Sequence, residues 1–267
     1  MTLTDIRRAL TLAGIQDAAT DARLLLSHFC GMSPAEQLAH PERDYESEAL
    51  ASAVQRREAR EPLQHILGEA YFFGERYTVG ADCLIPRADT EILVEYACRH
   101  LPKNALFADL CTGSGCIALS VLAHRPDLCA VAADISEGAL AIAKKNAESL
   151  GLSDRIRFFK TDLLSDELPF SLPDFALSNP PYINRKALSA LSPELSFEPQ
   201  IALDGGEDGL VFYRTFLARF SPECFLFEIG FDQAADLRAL GEASGYSVAI
   251  HRDLGGNDRL AVLEKAE

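Results

Sequence analysis

The chain is predicted to fold as an α/β protein: a seven-stranded mixed sheet with helices on both faces, preceded by a small helical segment and a β-hairpin. Three observations carry this expectation. From Ala105 onward, short apolar runs alternate with helical stretches, the pattern of strands joined by crossover helices. Residues 1 to about 60, by contrast, carry their apolar positions at helical spacing throughout. The last two apolar runs are joined only by Asp253-Leu254-Gly255-Gly256-Asn257-Asp258, too short for a crossover helix, so that pair is antiparallel.

Composition bounds the function. A chain of 267 residues holds one large domain or two smaller ones, and a hydrophobic fraction of 48% suffices for a core. The formal net charge of −15 disfavours binding that depends on neutralising nucleic-acid phosphates. Seven cysteines, odd in number, form no CxxC pair and sit among apolar neighbours, which points to free thiols in a reducing cytoplasm and away from a metal site. The start, MTLTDIRRAL, has no signal-peptide core, and no apolar run reaches the roughly 18 residues of a membrane span. The chain is therefore read as cytoplasmic; separately, a monomer is expected.

Taken in order, Thr4 is placed to cap a helix running to Ala13 and stopped by Gly14. A second helix spans Asp17 to Cys30, with Gly31 after it. Ser33-Pro34 is a cap followed by a favoured first-turn proline, and a charged helix from Ser47 to Glu61 ends at Pro62. These four helices form a unit of residues 1–66, read equally well as a packing module or as a recognition domain for a macromolecular substrate. Residues 67–84 read as a hairpin linker, and residues 85–267 as the main domain. Asp89 or Thr90 can cap the helix that runs to His100, with Arg87 and Glu91 placed for a surface ion pair near its start. Strands follow at 106–110, 129–133, 156–160, 175–178, 224–229, 246–251 and 259–264.

Four of these strands end on a polar residue: Asp109, Asp134, Asp162 and Asn179. In open α/β sheets ligands bind at the strands' carboxyl ends. The turn Cys111-Thr112-Gly113-Ser114-Gly115 leaves a strand and opens a helix, as a nucleotide-binding turn does. Asp134 lies 134 − 115 = 19 positions beyond Gly115, where a carboxylate can accept from ribose hydroxyls; its plainer role is a helix cap beside Ser136. The full GxGxxG is missing, so a ligand with a ribose but no phosphate fits better, and S-adenosylmethionine is one. Asp162 could accept from an adenine amino group with Leu163 on the purine face, or merely cap a helix.

Asn179-Pro180-Pro181-Tyr182 ends a strand abruptly, since neither proline can donate to a ladder. The Asn179 amide oxygen and the Pro180 carbonyl make two uncharged acceptors that suit a planar NH2 group, leaving its out-of-plane face free to attack. Tyr182 can lie flat against such a group.

Together the DLCTGSG turn, Asp134, Asp162 and SNPPYI resemble a class I S-adenosylmethionine-dependent methyltransferase acting on planar NH2 groups. EPLQHILGEAYFFG, LIPRADTE, PEL…FEP…ALDGGEDGL and DLGGNDR narrow the resemblance, over essentially the whole chain, to the bacterial peptide-chain release factor N5-glutamine methyltransferases. That resemblance implies a Rossmann-like methyltransferase sheet and a helical substrate-recognition domain. It implies methyl transfer from S-adenosylmethionine to the glutamine of a release factor's Gly-Gly-Gln motif, with S-adenosylhomocysteine as co-product. It places Cys111, Thr112, Gly113, Ser114 and Gly115 at the cofactor's methionine part, Asp134 at the ribose, and Asp162 and Leu163 at the adenine. Asn179, Pro180, Pro181 and Tyr182 then hold the glutamine amide, with Asn179 also facing the cofactor. Cys111 stands where the family usually has Gly. The chief rival is an adenine-N6 DNA or RNA methyltransferase, which applies the same logic to a flipped base but is disfavoured by the acidity and the lack of a basic run. An inactive cofactor-binding protein is disfavoured by the presence of Asn179 and Asp134, and a dehydrogenase by the incomplete glycine fingerprint.

Overall fold

The structure, a computed structural model, describes residues 1–266 and divides into two compact units. One comprises residues 1–69 with 192–197, the other residues 70–191 and the remainder from 198.

The first unit contains α1 (Leu3–Leu12), α2 (Ala18–Cys30), α3 (Pro34–Ala39), α4 (Glu48–Glu58) and α5 (Leu63–Leu67). Ile6, Leu10, Leu25, Leu26, Leu50 and Val54 recur at helical spacing and meet in its core. Thr2, not Thr4, caps α1, because Asp5 sits three residues on and completes a reciprocal capping box. Helix α4 stops earlier than expected. The chain turns at Arg60, in the left-handed region (φ 72°), and Pro62 opens the unforeseen α5 instead of ending α4. Arg57 is buried and paired with Asp21 at 2.8 Å, and Glu194 of the returning segment takes Arg57 at 3.4 Å and Arg60 at 2.7 Å. That segment, expected with the main domain, therefore groups with the helices.

In the second unit β1 (Glu69–Phe72) and β2 (Glu75–Thr78) form the hairpin. Its turn, Phe73-Gly74, has positive φ at both positions, as the strands' right-handed twist prefers. The hairpin is less a linker than part of the core: Phe72 and Tyr77 are buried in the same cluster as Phe107, Ile117 and Leu177. Then come α6 (Glu91–His100), β3 (Leu106–Leu110), α7 (Cys116–His124), β4 (Cys129–Asp134), α8 (Glu137–Ser149), β5 (Ile156–Lys160) and β6 (Phe175–Ser178). The chain closes with α9 (Val211–Arg219), β7 (Cys224–Glu228), α10 (Ala234–Ala243), β8 (Tyr246–Arg252) and β9 (Asp258–Lys265).

The seven-stranded sheet has the order β5-β4-β3-β6-β7-β9-β8, with only β9 antiparallel to its neighbours. Side chains alternate between two apolar clusters: Phe107, Leu177, Leu226 and Val262 face one, and Ala108, Ala176, Phe225, Phe227 and Leu263 the other. Both faces are covered, as a parallel sheet requires. The chain reverses its winding between β3 and β6, so their carboxyl ends open a crevice.

Candidate active site

A cavity of about 570 Å³ occupies that crevice. Cys111, Thr112, Gly113, Ser114, Asp134, Asp162, Leu163, Asn179 and Pro181 all line it, whereas Gly115, Pro180 and Tyr182 do not. Asp109 does not reach it either. Its fully buried carboxylate accepts from Thr112 Oγ1 (2.6 Å) and Ala118 N (3.2 Å), and burial pushes its pKa up to about 7.

The turn after β3 is shaped by left-handed residues at Cys111 (φ 63°), Gly113 (φ 55°) and Gly115 (φ 80°). Gly113 donates its N–H to Asp134 Oδ2 (2.9 Å), and Ser136 donates to Oδ1 (2.9 Å). Asp134 thus binds two loops together at the cavity wall, and burial raises its pKa. It is Ser136 that caps α8. Gly115 serves packing, not ligand approach: a Cβ there would lie 3.0 Å from Leu119 and 3.1 Å from Ala143, so its absence lets α7 lie against α8. Cys111 faces both the cavity and the apolar cluster beneath it.

Two cavity-lining hydroxyls, Ser114 Oγ and Thr161 Oγ1, are buried without a partner. Buried polar groups are nearly always satisfied, so these two fit a ligand carrying several hydrogen-bonding groups. Ile117, Ile135 and Leu163 supply apolar wall for a planar ring. Asp162 caps no helix, since none follows. It closes a tight turn by accepting from Leu164 N (2.9 Å) and Ser165 Oγ (2.8 Å).

The loop carrying Asn179 is clamped along its backbone. Ile183 N donates to Leu203 O (3.1 Å), Gly205 N to Ile183 O (2.9 Å), and Arg185 N to Gly206 O (2.8 Å). A Cβ at Gly205 would lie 2.8 Å from Pro181 O, and one at Gly209 2.3 Å from Tyr182 O, so only glycine allows this approach. Gln233 Nε2 donates to Tyr182 O (3.0 Å) and Gly209 O (3.2 Å).

Tyr182 departs from expectation. Its ring turns away from the cavity, because its hydroxyl donates to the buried Glu228 (3.1 Å) and accepts from Arg259 (3.4 Å). Burial and the neighbouring Glu228 charge raise its pKa. Arg259 in turn pairs with Asp253 (3.2 Å) and Asp89 (3.3 Å). Arg87 and Glu91 do not pair with each other. Arg87 pairs with Glu198, whose other oxygen accepts from Ile85 N (2.9 Å), and Glu91 accepts from Phe73 N (2.8 Å). Sequence reasoning also missed Asn146, buried mid-helix in α8. It accepts from Thr78 N (2.7 Å) and donates to Ser114 O (2.9 Å), joining the hairpin to the cavity turn.

The sheet order, the crevice and the polar strand ends define a methyltransferase domain, and the family model of the methyltransferase small domain matches residues 88–200. The fold is shared by the catalytic domain of hMettl16 in complex with a MAT2A 3′UTR hairpin (TM-score 0.58, 18% identity, 82% of each chain covered). The PrmC N-terminal domain model matches residues 2–68. The chain is 41% identical to the release factor glutamine methyltransferase of Cereibacter sphaeroides, covering 94% of this chain and 92% of that one. It is 39% identical to the Neisseria gonorrhoeae protein of the same name, covering 91% and 92%. The chain belongs to the release factor glutamine methyltransferase family.

No described helix is long and apolar enough to cross a membrane, and the described residues contain no metal-ligating cluster.

Proposed function

We propose that the chain transfers a methyl group from S-adenosylmethionine to the side-chain N5 of the glutamine in a release factor's Gly-Gly-Gln motif. The observation that carries this reading is the Asn179 carboxamide, held at the β3/β6 crevice on the same cavity as the Gly113 turn and Asp134. The two unpartnered hydroxyls and the acid at the end of β4 fit the cofactor's polar groups. Gly113 and its neighbours would hold its methionine part, Asp134 the ribose, and Asp162 with Leu163 the adenine. When bound, this cofactor supplies a sulfonium-activated, electrophilic methyl group.

An amide nitrogen is a weak nucleophile because its lone pair is delocalised, so this chain's own work is orientation. Asn179 Oδ1 and the Pro180 carbonyl accept the two N–H bonds of the substrate amide and leave the nitrogen's free face toward the cavity. Orientation of this kind can lower a barrier by roughly 7 kcal/mol or more. Both acceptors are uncharged yet favour positive charge developing on nitrogen. No side chain is assigned as general base; the proton leaves late, to water.

The test is transfer of labelled methyl from S-adenosylmethionine to purified release factor, beside its Gly-Gly-Gln→Gly-Gly-Ala variant and a DNA duplex. Label on the unaltered factor alone is the expected result; label on DNA would move the chain to adenine chemistry. Asn179→Ala should bind cofactor normally and lose most turnover, and near-normal turnover would remove Asn179 from the amide site.

A further inference from the structure

Three of the motifs singled out in the sequence converge on one buried guanidinium, that of Arg259. Arg259 stands near the start of β9 and is 8% exposed. A charge so buried is tolerated only when it is paired, and all three of its nitrogens are in use. Nε donates to Asp253 Oδ2 (3.2 Å), and Nη2 pairs with Asp89 Oδ2 (3.3 Å). Nη1 donates to the Ile229 carbonyl (3.2 Å) and to the Tyr182 hydroxyl (3.4 Å). Asp89 belongs to LIPRADTE, Asp253 and Arg259 to DLGGNDR, and Tyr182 to SNPPYI. Arg259 is itself tied to the sheet. Ile229 N donates to Arg259 O (2.9 Å), and Asp253 Oδ1 accepts from Asn257 N (3.0 Å) across the turn before β9.

These contacts reach the substrate loop through Tyr182. A phenol has one proton. With Arg259 donating to its oxygen, that proton goes to Glu228 Oε1 (3.1 Å), which accepts whether or not the other carboxyl oxygen is protonated. The Tyr182 carbonyl is held separately by Gln233 Nε2 (3.0 Å), whose Oε1 accepts from Gly230 N (2.8 Å). Tyr182 is thus fixed at both ends, by β7, β9 and the turn after β7. Between it and Asn179 stand Pro180 and Pro181, each with φ locked by its ring, so the dipeptide has little slack. Moving the phenol therefore moves Asn179 Oδ1 and the Pro180 carbonyl with it. The ring, turned to Glu228 and Arg259, is not free to lie against a substrate amide.

We infer that Arg259 is a positioning residue for methyl transfer: through the Tyr182 hydroxyl it holds the Asn179 loop in place, and Tyr182 acts by that hydroxyl and not by stacking on the substrate. This rests on the reading of Asn179 as the amide-holding residue, and the experiment separates the two. Methyl transfer to release factor is measured for Tyr182→Phe, Arg259→Lys, the Tyr182→Phe/Arg259→Lys double variant and Asn179→Ala. Values of kcat are taken per cofactor-binding site, with KM for the release factor, cofactor affinity and Tm measured alongside. Tyr182→Phe keeps the ring and loses only the hydroxyl. It should lose kcat on the order of 10-fold, with KM and cofactor affinity within about twofold of the parent. Arg259→Lys keeps a charge for the two aspartates but not the planar fork that also reaches Tyr182, so its kcat should fall comparably. The double variant should be no worse than the poorer single, because both act through one contact. Parent-level kcat per site in either single variant beside an inactive Asn179→Ala overturns the inference while sparing the Asn179 reading, even where Tm has fallen. A raised KM at parent kcat overturns it too, since Tyr182 would then touch the substrate. Losses that multiply in the double variant break the link between the two residues and overturn the role of Arg259. An active Asn179→Ala overturns the underlying reading itself.

Discussion

Cys111 carries a Cβ into the left-handed region, where an L-residue is disfavoured by roughly 1–2 kcal/mol. Its half-buried side chain packs against the apolar cluster, and desolvation raises the thiol's pKa. Replacement by Gly relieves the backbone and loses a small packed group, so Cys111→Gly should hold or raise Tm and leave cofactor affinity within about threefold. A β-branched residue is the worst occupant of such a φ, and Cys111→Val should lose about 2 kcal/mol or more in denaturant melts. At this scale the sequence made legible the residues that end strands, Asp134 and Asn179, because a strand end can be located from an apolar run. Asn146 was not legible: it joins Thr78 and Ser114, 68 and 32 positions away, and nothing local distinguishes it from an ordinary helix-interior Asn. Tyr182 was misread because its direction is decided by Glu228 and Arg259, two charges on other strands.

Elements meet through glycine at two places, and each makes a prediction. Gly115→Ala would press a methyl against Leu119 and Ala143 at an already left-handed φ, so α7 and α8 must part. The expected cost is about 2 kcal/mol or more, read as a lowered denaturation midpoint at unchanged m. Gly209→Ala would place a Cβ 2.3 Å from the Tyr182 carbonyl oxygen and displace the whole Asn179 loop. Turnover should fall by on the order of 100-fold, while cofactor affinity, carried by the Gly113 turn and Asp134 in the proposed reading, changes little. Parent-level turnover would show that the loop tolerates being moved. ALDGGEDGL entered the sequence analysis only as part of the family resemblance, and its glycine content says that a backbone can come close, not which backbone it meets.

For the whole molecule, two buried carboxylates dominate the response to pH. Asp109 and Glu228 both have pKa values raised by burial to about 7, above their ordinary values near 4. A carboxyl raised by folding favours the folded state while protonated, and that contribution fades as pH rises through the folded value. Their share of stability is therefore fully present below about pH 4 and lost above about pH 7. Asp109→Asn keeps an oxygen for Thr112 and Ala118 and cannot ionise, so its Tm relative to the parent should improve by several degrees between pH 5.5 and 8.5. A constant difference across that range would mean that Asp109 titrates normally. All seven sheet strands and the antiparallel final pair were legible in the sequence, since alternation and loop length determine them. The grouping of residues 192–197 with the N-terminal helices was not, because it depends on ion pairs and not on any periodic pattern.

That grouping bears on how the chain is made. Glu194 is separated from Arg57 by 137 positions, so a ribosome that has delivered all five N-terminal helices has yet to synthesise the carboxylate that pairs with both Arg57 and Arg60. The first unit emerges early but is completed late, after eight of the ten helices and the strands through β6 have been translated. Its final charge balance arrives with the segment that follows the Asn179 loop, which ties maturation of the helical unit to production of the proposed substrate loop.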